Sequence, residues 1–182
     1  KLHPHGKVPV LVDGETVLFE SAAICAYLAD KYPDRGLAPA PGTAARGYYY
    51  QWLCYGMTTL EPPVEKFLFS VMPHLPEKLI PHSNISSEQA SQWFDRVAEP
   101  IRTVLMNQDF LVDNQFTAAD VIVGGVLLWA QELGMIGKDD SLTNYMNRIR
   151  LRPAFCRATD DWFLLQFPES PELKAHSKYH PV

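Results

Sequence analysis

The chain has 182 residues, of which 47% are apolar and 20% charged, the balance of an ordinary soluble globular protein with room for one large or two small domains. Its formal net charge is −5. With no run of Lys or Arg to form a basic stripe, nucleic acid is excluded as a partner.

Residues 1–6 read as a loop. His3 and His5 stand two apart, but no third ligand is spaced to complete a metal site. Two short apolar runs follow, at 10–12 and 16–19, joined by Asp13-Gly14. An Asp-Gly pair tolerates the positive φ angles of a tight hairpin. Pro9 precedes the first run, where a missing N–H is tolerable only at a strand start or edge. Glu20-Ser21 opens a helix, with Ile24, Tyr27 and Leu28 at helical spacing. Its N-terminal N–H groups and positive dipole end suit an anion. The helix should end near Tyr32, with Lys31 at the negative end and Pro33 blocking continuation. Gly36, Pro39, Pro41 and Gly42 make 34–43 a linker. Strand signals stop there, so the reading is a first domain at 1–33, a linker at 34–43 and an all-helical domain at 44–182.

A long helix is expected from 44 to about 60. Tyr49, Leu53 and Leu60 form a core stripe, while Tyr48, Trp52, Tyr55 and Thr59 face elsewhere. That second stripe suits a partner subunit, the wall of an apolar ligand cleft, or interhelix packing. Glu61-Pro62-Pro63 breaks or kinks the helix, and 64–71 resumes it. Pro73, Pro76 and Pro81 make an irregular connection. Asn84-Ile85-Ser86 matches a glycosylation sequon, read here as a chance match. Ser86 and Gln89 form a capping box for a helix running towards Asn107, kinked at Pro100.

Thr117 and Asp120 form a second capping box, with Phe116 stapled onto Val121. Asp120 is therefore read as a cap and not as a catalytic acid. The helix from 118 to about 133 is apolar nearly all round and should be the buried centre. Gly124 and Gly125 each cost roughly 1 kcal/mol against Ala, which makes sense where another helix comes close. The apolar block 121–130 inside it is about half the roughly 20 residues of a membrane span, so no membrane partner is expected. Asp140 or Ser141 starts a helix to about Arg150, and Pro153 opens the next, to about Phe163. The tail from Phe167 carries three prolines and is expected to be loose or draped over the surface. Cys25, Cys54 and Cys156 are odd in number and widely spaced. They fit free thiols in a reducing, cytoplasmic compartment.

Four motifs in order carry a resemblance. His3-Pro4-His5-Gly6-Lys7-Val8-Pro9 resembles the loop, with a cis proline, before the third strand of a thioredoxin-like domain. Glu20-Ser21-Ala22-Ala23-Ile24 resembles the segment opening that domain's third helix. Phe116-Thr117-Ala118-Ala119-Asp120-Val121 resembles the capping motif of a central helix in an all-α domain, and Arg152-Pro153-Ala154-Phe155 a segment nearer the C-terminus. Together they are similar to the soluble, bacterial-like glutathione S-transferases.

The resemblance implies an α/β plus all-α fold: the later part of a thioredoxin-like domain, a β-hairpin and helix, followed by a helical bundle. It implies glutathione as co-substrate, with no metal, and conjugation of its thiolate to small, mostly apolar electrophiles in detoxification. Val8 would pair its backbone with the cysteinyl unit. Glu20 would take the γ-glutamyl ammonium and Ser21 its carboxylate, while Lys7 would serve the cysteinyl carbonyl or glycine carboxylate. Pro9, Thr117 and Asp120 would be structural. Tyr48, Trp52 and Tyr55 would hold the electrophile, and Cys25, one turn into its helix, would be packed.

A homodimer is also implied. The alternatives are a binding or assembly module without turnover, like those fused to translation factors, and a glutathione-dependent isomerase, reductase or dehalogenase. Two departures stand out. His3 occupies a position where many members have Asn. The strand-helix-strand that carries the family's activating Ser, Tyr or Cys is expected upstream of Lys1, on the order of 40 residues. An apolar strand at Val10 without that neighbour would be a bare edge.

Overall fold

The computed structural model describes residues 2–71, 85–137 and 141–166, with side chains described as far as Thr159. Strand β1 (Val10–Asp13) pairs antiparallel with β2 (Thr16–Phe19), Val10 opposite Phe19 and Asp13 opposite Thr16. The two-residue loop is therefore Gly14-Glu15, with Gly14 at φ +60°, one residue later than Asp13-Gly14. Asp13 is the last strand residue because its carboxylate has another role. It accepts from Tyr27 Oη at 2.8 Å and from Lys31 Nζ, tying the hairpin to helix α1 (Ser21–Lys31). These donors hold its carboxyl below the usual range.

A 3₁₀ turn at Pro33–Arg35 ends on Gly36 at φ +64°. The segment after it is anchored, since the Leu37 carbonyl accepts from Ala118 N–H at 2.8 Å. Helix α2 (Ala44–Tyr55) is capped by Thr43, whose hydroxyl accepts from Arg46 N–H at 3.2 Å. A π-helical turn, Gly56–Leu60, leads directly into α3 (Glu61–Val71). Pro62 and Pro63 sit in the first turn of α3, where proline is best tolerated, so the prolines reset the helix and do not break the path. A Cβ on Gly56 would lie 2.7 Å from Ile122 Cγ2, so the turn passes close against the next central helix.

Helix α4 (Ser87–Leu105) starts at the expected capping box: Ser86 Oγ accepts from Gln89 N–H at 3.2 Å and Gln89 Oε1 from Ser86 N–H at 3.0 Å. Pro100 lies within it. Helix α5 (Ala118–Glu132) is the centre of the core, packed by α1, α2, the π-helical turn, α3 and α6 (Ser141–Arg150). Helix α7 (Pro153–Gln166) follows. Pro73, Pro76, Pro81, Asn84, Asp140 and the tail from Phe167 lie outside the described residues. No helix among the described residues is long and apolar enough to cross a membrane.

Asp120 is wholly buried and does more than cap α5. Its Oδ2 accepts from Thr117 N–H at 2.8 Å and from the Thr117 hydroxyl at 3.2 Å. Its Oδ1 accepts from Leu111 N–H at 3.0 Å and from Tyr145 Oη at 2.9 Å. Burial pushes its carboxyl above the ordinary range and these donors pull it back. Phe116 stacks edge-on against Phe110 at 5.5 Å and beneath the Arg152 guanidinium at 3.5 Å, while Val121 is exposed. Phe116 thus also packs across the fold.

The paired glycines of α5 also separate. A Cβ on Gly124 would come within 2.3 Å of Ile149 Cδ1, whereas one on Gly125 would meet nothing within 4 Å among the described residues. Only Gly124 marks close helix contact, between α5 and α6. Gly124→Val is expected to cost about 2 kcal/mol through overpacking. Gly125→Ala should gain about 0.5–1 kcal/mol from helix propensity. Urea denaturation of the pair checks the contrast, and equal effects would count against it.

Candidate functional site

The pairing of Val10 with Phe19 closes one end of the hairpin. Pro9 and Glu20 are the flanking residues, so the Lys7-Val8-Pro9 loop and the start of α1 emerge side by side. The Val8–Pro9 peptide is cis, matching the expected loop. Lys7 and Val8 are exposed, Val8 by 90%. Glu20 adopts φ 76°, ψ 113°, a left-handed conformation costly for any residue with a Cβ and concentrated at functional sites. Its carbonyl opens α1 by accepting from Ile24 N–H at 3.0 Å, yet its side chain makes no cap hydrogen bond. Among the described residues α1 therefore starts at half-buried Ser21 with no side-chain cap on its first N–H groups. Those N–H groups and the dipole favour an anion there.

A further carboxyl feels the charges of this region, unannounced by its surroundings in the chain. Glu61, half-buried at the start of α3, has its carboxyl pushed up by burial, then by Glu65 and Glu20, and pulled back by Lys7. Lys7, Glu20 and Glu61 thus share one field although they come from a loop, a helix start and a different helix. In the chain, Glu61 looks only like part of a Glu-Pro-Pro helix break, and nothing local links it to Glu20. Its raised value means the charged form is penalised in the fold above that value, and the penalty is absent below the unfolded value near 4.5. Glu61→Gln should therefore melt higher than the parent at pH 7 without ligand, and the gap should close by pH 4. An equal gap at both pH values would refute this.

The aromatic candidates are not gathered on one open face. Tyr48 is exposed, by 55%, but Trp52 is 4% exposed and belongs to the core. Tyr55 is half-buried, donating from Oη to the Val97 carbonyl at 2.8 Å and stacking edge-on against Trp52 at 5.4 Å. Helix α2 is covered by α5 and, through Tyr55, by α4, so packing has claimed most of its second stripe. Burial pushes the half-buried Cys25 thiol up, which disfavours the thiolate and fits a packed side chain. His3 Nδ1 accepts from His5 N–H at 3.0 Å, and its ring lies 4.9 Å from that of Phe19. His3 thereby shapes the loop that carries Lys7 and Val8.

Residues 1–36 match the family model described as glutathione S-transferase, N-terminal domain, and residues 51–153 the model described as glutathione S-transferase, C-terminal domain. Glutathione S-transferase GstA of Escherichia coli O157:H7 is 30% identical over 84% of this chain and 72% of its own length. Glutathione S-transferase 3 of Zea mays is 31% identical over 65% of this chain, which spans 53% of that relative. Among solved structures, a sphingomonad glutathione S-transferase complexed with glutathione superposes with a TM-score of 0.74. It is 26% identical, covering 88% of this chain and 76% of that one.

Proposed function

Because this chain belongs to the glutathione S-transferase family, we propose that it holds glutathione at the start of α1 and transfers its thiolate to small, mostly apolar electrophiles. Glu20 takes the γ-glutamyl ammonium, while Ser21 and the uncapped N–H groups of α1 take the neighbouring carboxylate. The Val8 backbone pairs with the cysteinyl unit, and Lys7 serves the cysteinyl carbonyl or glycine carboxylate. The observation that carries the reading is the open start of α1 behind a left-handed Glu20, next to the cis Val8–Pro9 loop that carries Lys7. A free thiol has a pKa near 8.5, so transfer needs it lowered, and the positive end of α1 contributes to that. A binding module without turnover has no reason to keep all these positions.

Residues 1–33 act in this reading as the glutathione-gripping unit, 34–43 as the linker and 44–182 as the helical unit. In this reading Tyr48 and half-buried Tyr55 border the electrophile pocket, and Trp52 backs them from the core. Detoxification in the cytoplasm, as a homodimer, completes the proposal; exposed Tyr48, Tyr50 and Tyr32 are compatible with a covered face. The test is retention on immobilised glutathione by the full-length protein and release of the Glu20→Ala, Ser21→Ala double variant. A double variant that is still retained would place the site elsewhere.

A further inference from the structure

Helix α1 joins the two halves of this site and is held from both sides. Towards the hairpin, Asp13 grips Tyr27 and Lys31. Towards the helical unit, Nη2 of Arg46 in α2 donates to both carboxylate oxygens of Asp30, at 2.6 and 2.7 Å. Its Nη1 also donates to the Pro39 carbonyl of the linker at 2.8 Å. Arg46 is 5% exposed and packs against the Tyr49 and Tyr50 rings, 5.2 and 4.9 Å from their centroids. Burying a guanidinium is costly, and an apolar side chain of similar volume is often at least as stable. Here Arg46 Nε and Tyr49 Oη are both buried without a hydrogen-bond partner among the described residues. Local packing is a poor explanation for that choice, whereas directional control of α1 is a good one.

The apolar side of α1 shows why control is needed. It packs on the core with Ala22, Cys25, Ala26 and Ala29, short side chains that interlock weakly. Its eleven residues make a rod of roughly 16 Å, with the ligand positions at one end and Asp30 near the other. A tilt of about 4° shifts the far end by about 1 Å, a misplacement that can lower a bimolecular step on the order of 100-fold.

We infer that Arg46 and Asp30 are a positioning pair that sets the bound thiol against the electrophile. The inference rests on the glutathione reading above. Lys7 and Val8 lead into the hairpin, and Glu20 and Ser21 lead into α1; Asp13 holds hairpin and α1 together, so loosening the Arg46–Asp30 pair leaves the grip intact. What changes is the distance from that grip to α2 and α3.

The test uses the full-length protein with Asp30→Asn and, separately, Arg46→Lys. Asp30 is half exposed, so its variant folds even if the change at buried Arg46 does not. Glutathione affinity is measured by calorimetry, and turnover of 1-chloro-2,4-dinitrobenzene at saturating glutathione. The expected result is a glutathione Kd within twofold of the parent and a kcat/KM for the arene lowered at least tenfold. A parent that binds no glutathione overturns the functional reading and this inference with it. If the parent binds glutathione but does not turn over the arene, there is no second half-site to position and the inference alone falls. It also falls if the variants match the parent in turnover, or lose glutathione affinity by the same factor as turnover.

Discussion

Asp120→Ala is expected to lower the unfolding free energy by about 3–5 kcal/mol, because it strips one partner from a buried, charge-assisted network. The carboxylate serves Leu111 N–H, Thr117 N–H and the Tyr145 hydroxyl. Its loss leaves all three donors in a site with no access to water. It also removes a helix cap, worth about 1 kcal/mol by itself. Against a total stability of about 5–15 kcal/mol, such a loss brings the fold close to its limit. Tyr145→Phe removes one bond and should cost about 1–1.5 kcal/mol. Urea denaturation measures both. A cost below about 1 kcal/mol for Asp120→Ala would show that the network is dispensable and that α5 is held by apolar packing alone.

Glu20→Gln should raise the Kd for glutathione about 10- to 100-fold, since a hydrogen bond to a charged group is worth about 1.5–3 kcal/mol. The change keeps the side chain's size and its position at the left-handed residue before α1, so the fold is spared. The sharper readout is a second ligand, glutaryl-cysteinyl-glycine, which lacks the γ-glutamyl ammonium. Its affinity should be the same for parent and variant, because Glu20 has nothing to pair with in it. Calorimetry with both ligands makes the comparison. If Glu20→Gln weakens both equally, Glu20 holds the loop and not the ammonium.

Much of this architecture is legible in the chain because its determinants are local. The hairpin needs an alternation of apolar runs and a residue that accepts positive φ. The starts of α4 and α5 need a hydroxyl and an acceptor three residues apart. The family resemblance rests on the same short segments, Lys7-Val8-Pro9, Glu20-Ser21 and the Thr117–Asp120 box, and the matches over residues 1–36 and 51–153 agree with it. Where the reading missed, a contact from elsewhere in the chain decided the matter. Asp13 is drawn out of the turn by Tyr27 and Lys31. Gly124 makes room for Ile149, and Gly125 for nothing among the described residues.

The candidate site divides in the same way. Glu20 and Ser21 could be read from the sequence because an acidic residue and a hydroxyl at the start of a helix have chemistry that depends only on their neighbours. Glu61 could not, since the burial that raises its carboxyl and the charges of Glu20 and Lys7 that act on it exist only once the chain is folded. Periodicity, caps, glycines and prolines were enough to place the hairpin and the starts of α1, α4 and α5, but not the π-helical turn or the start of α3 at Glu61. That Trp52 is core, that Tyr48 stays open and that Arg46 locks onto Asp30 came from the packing of distant segments. Helical periodicity says which residues share a face; what covers that face is set by the packing of other helices.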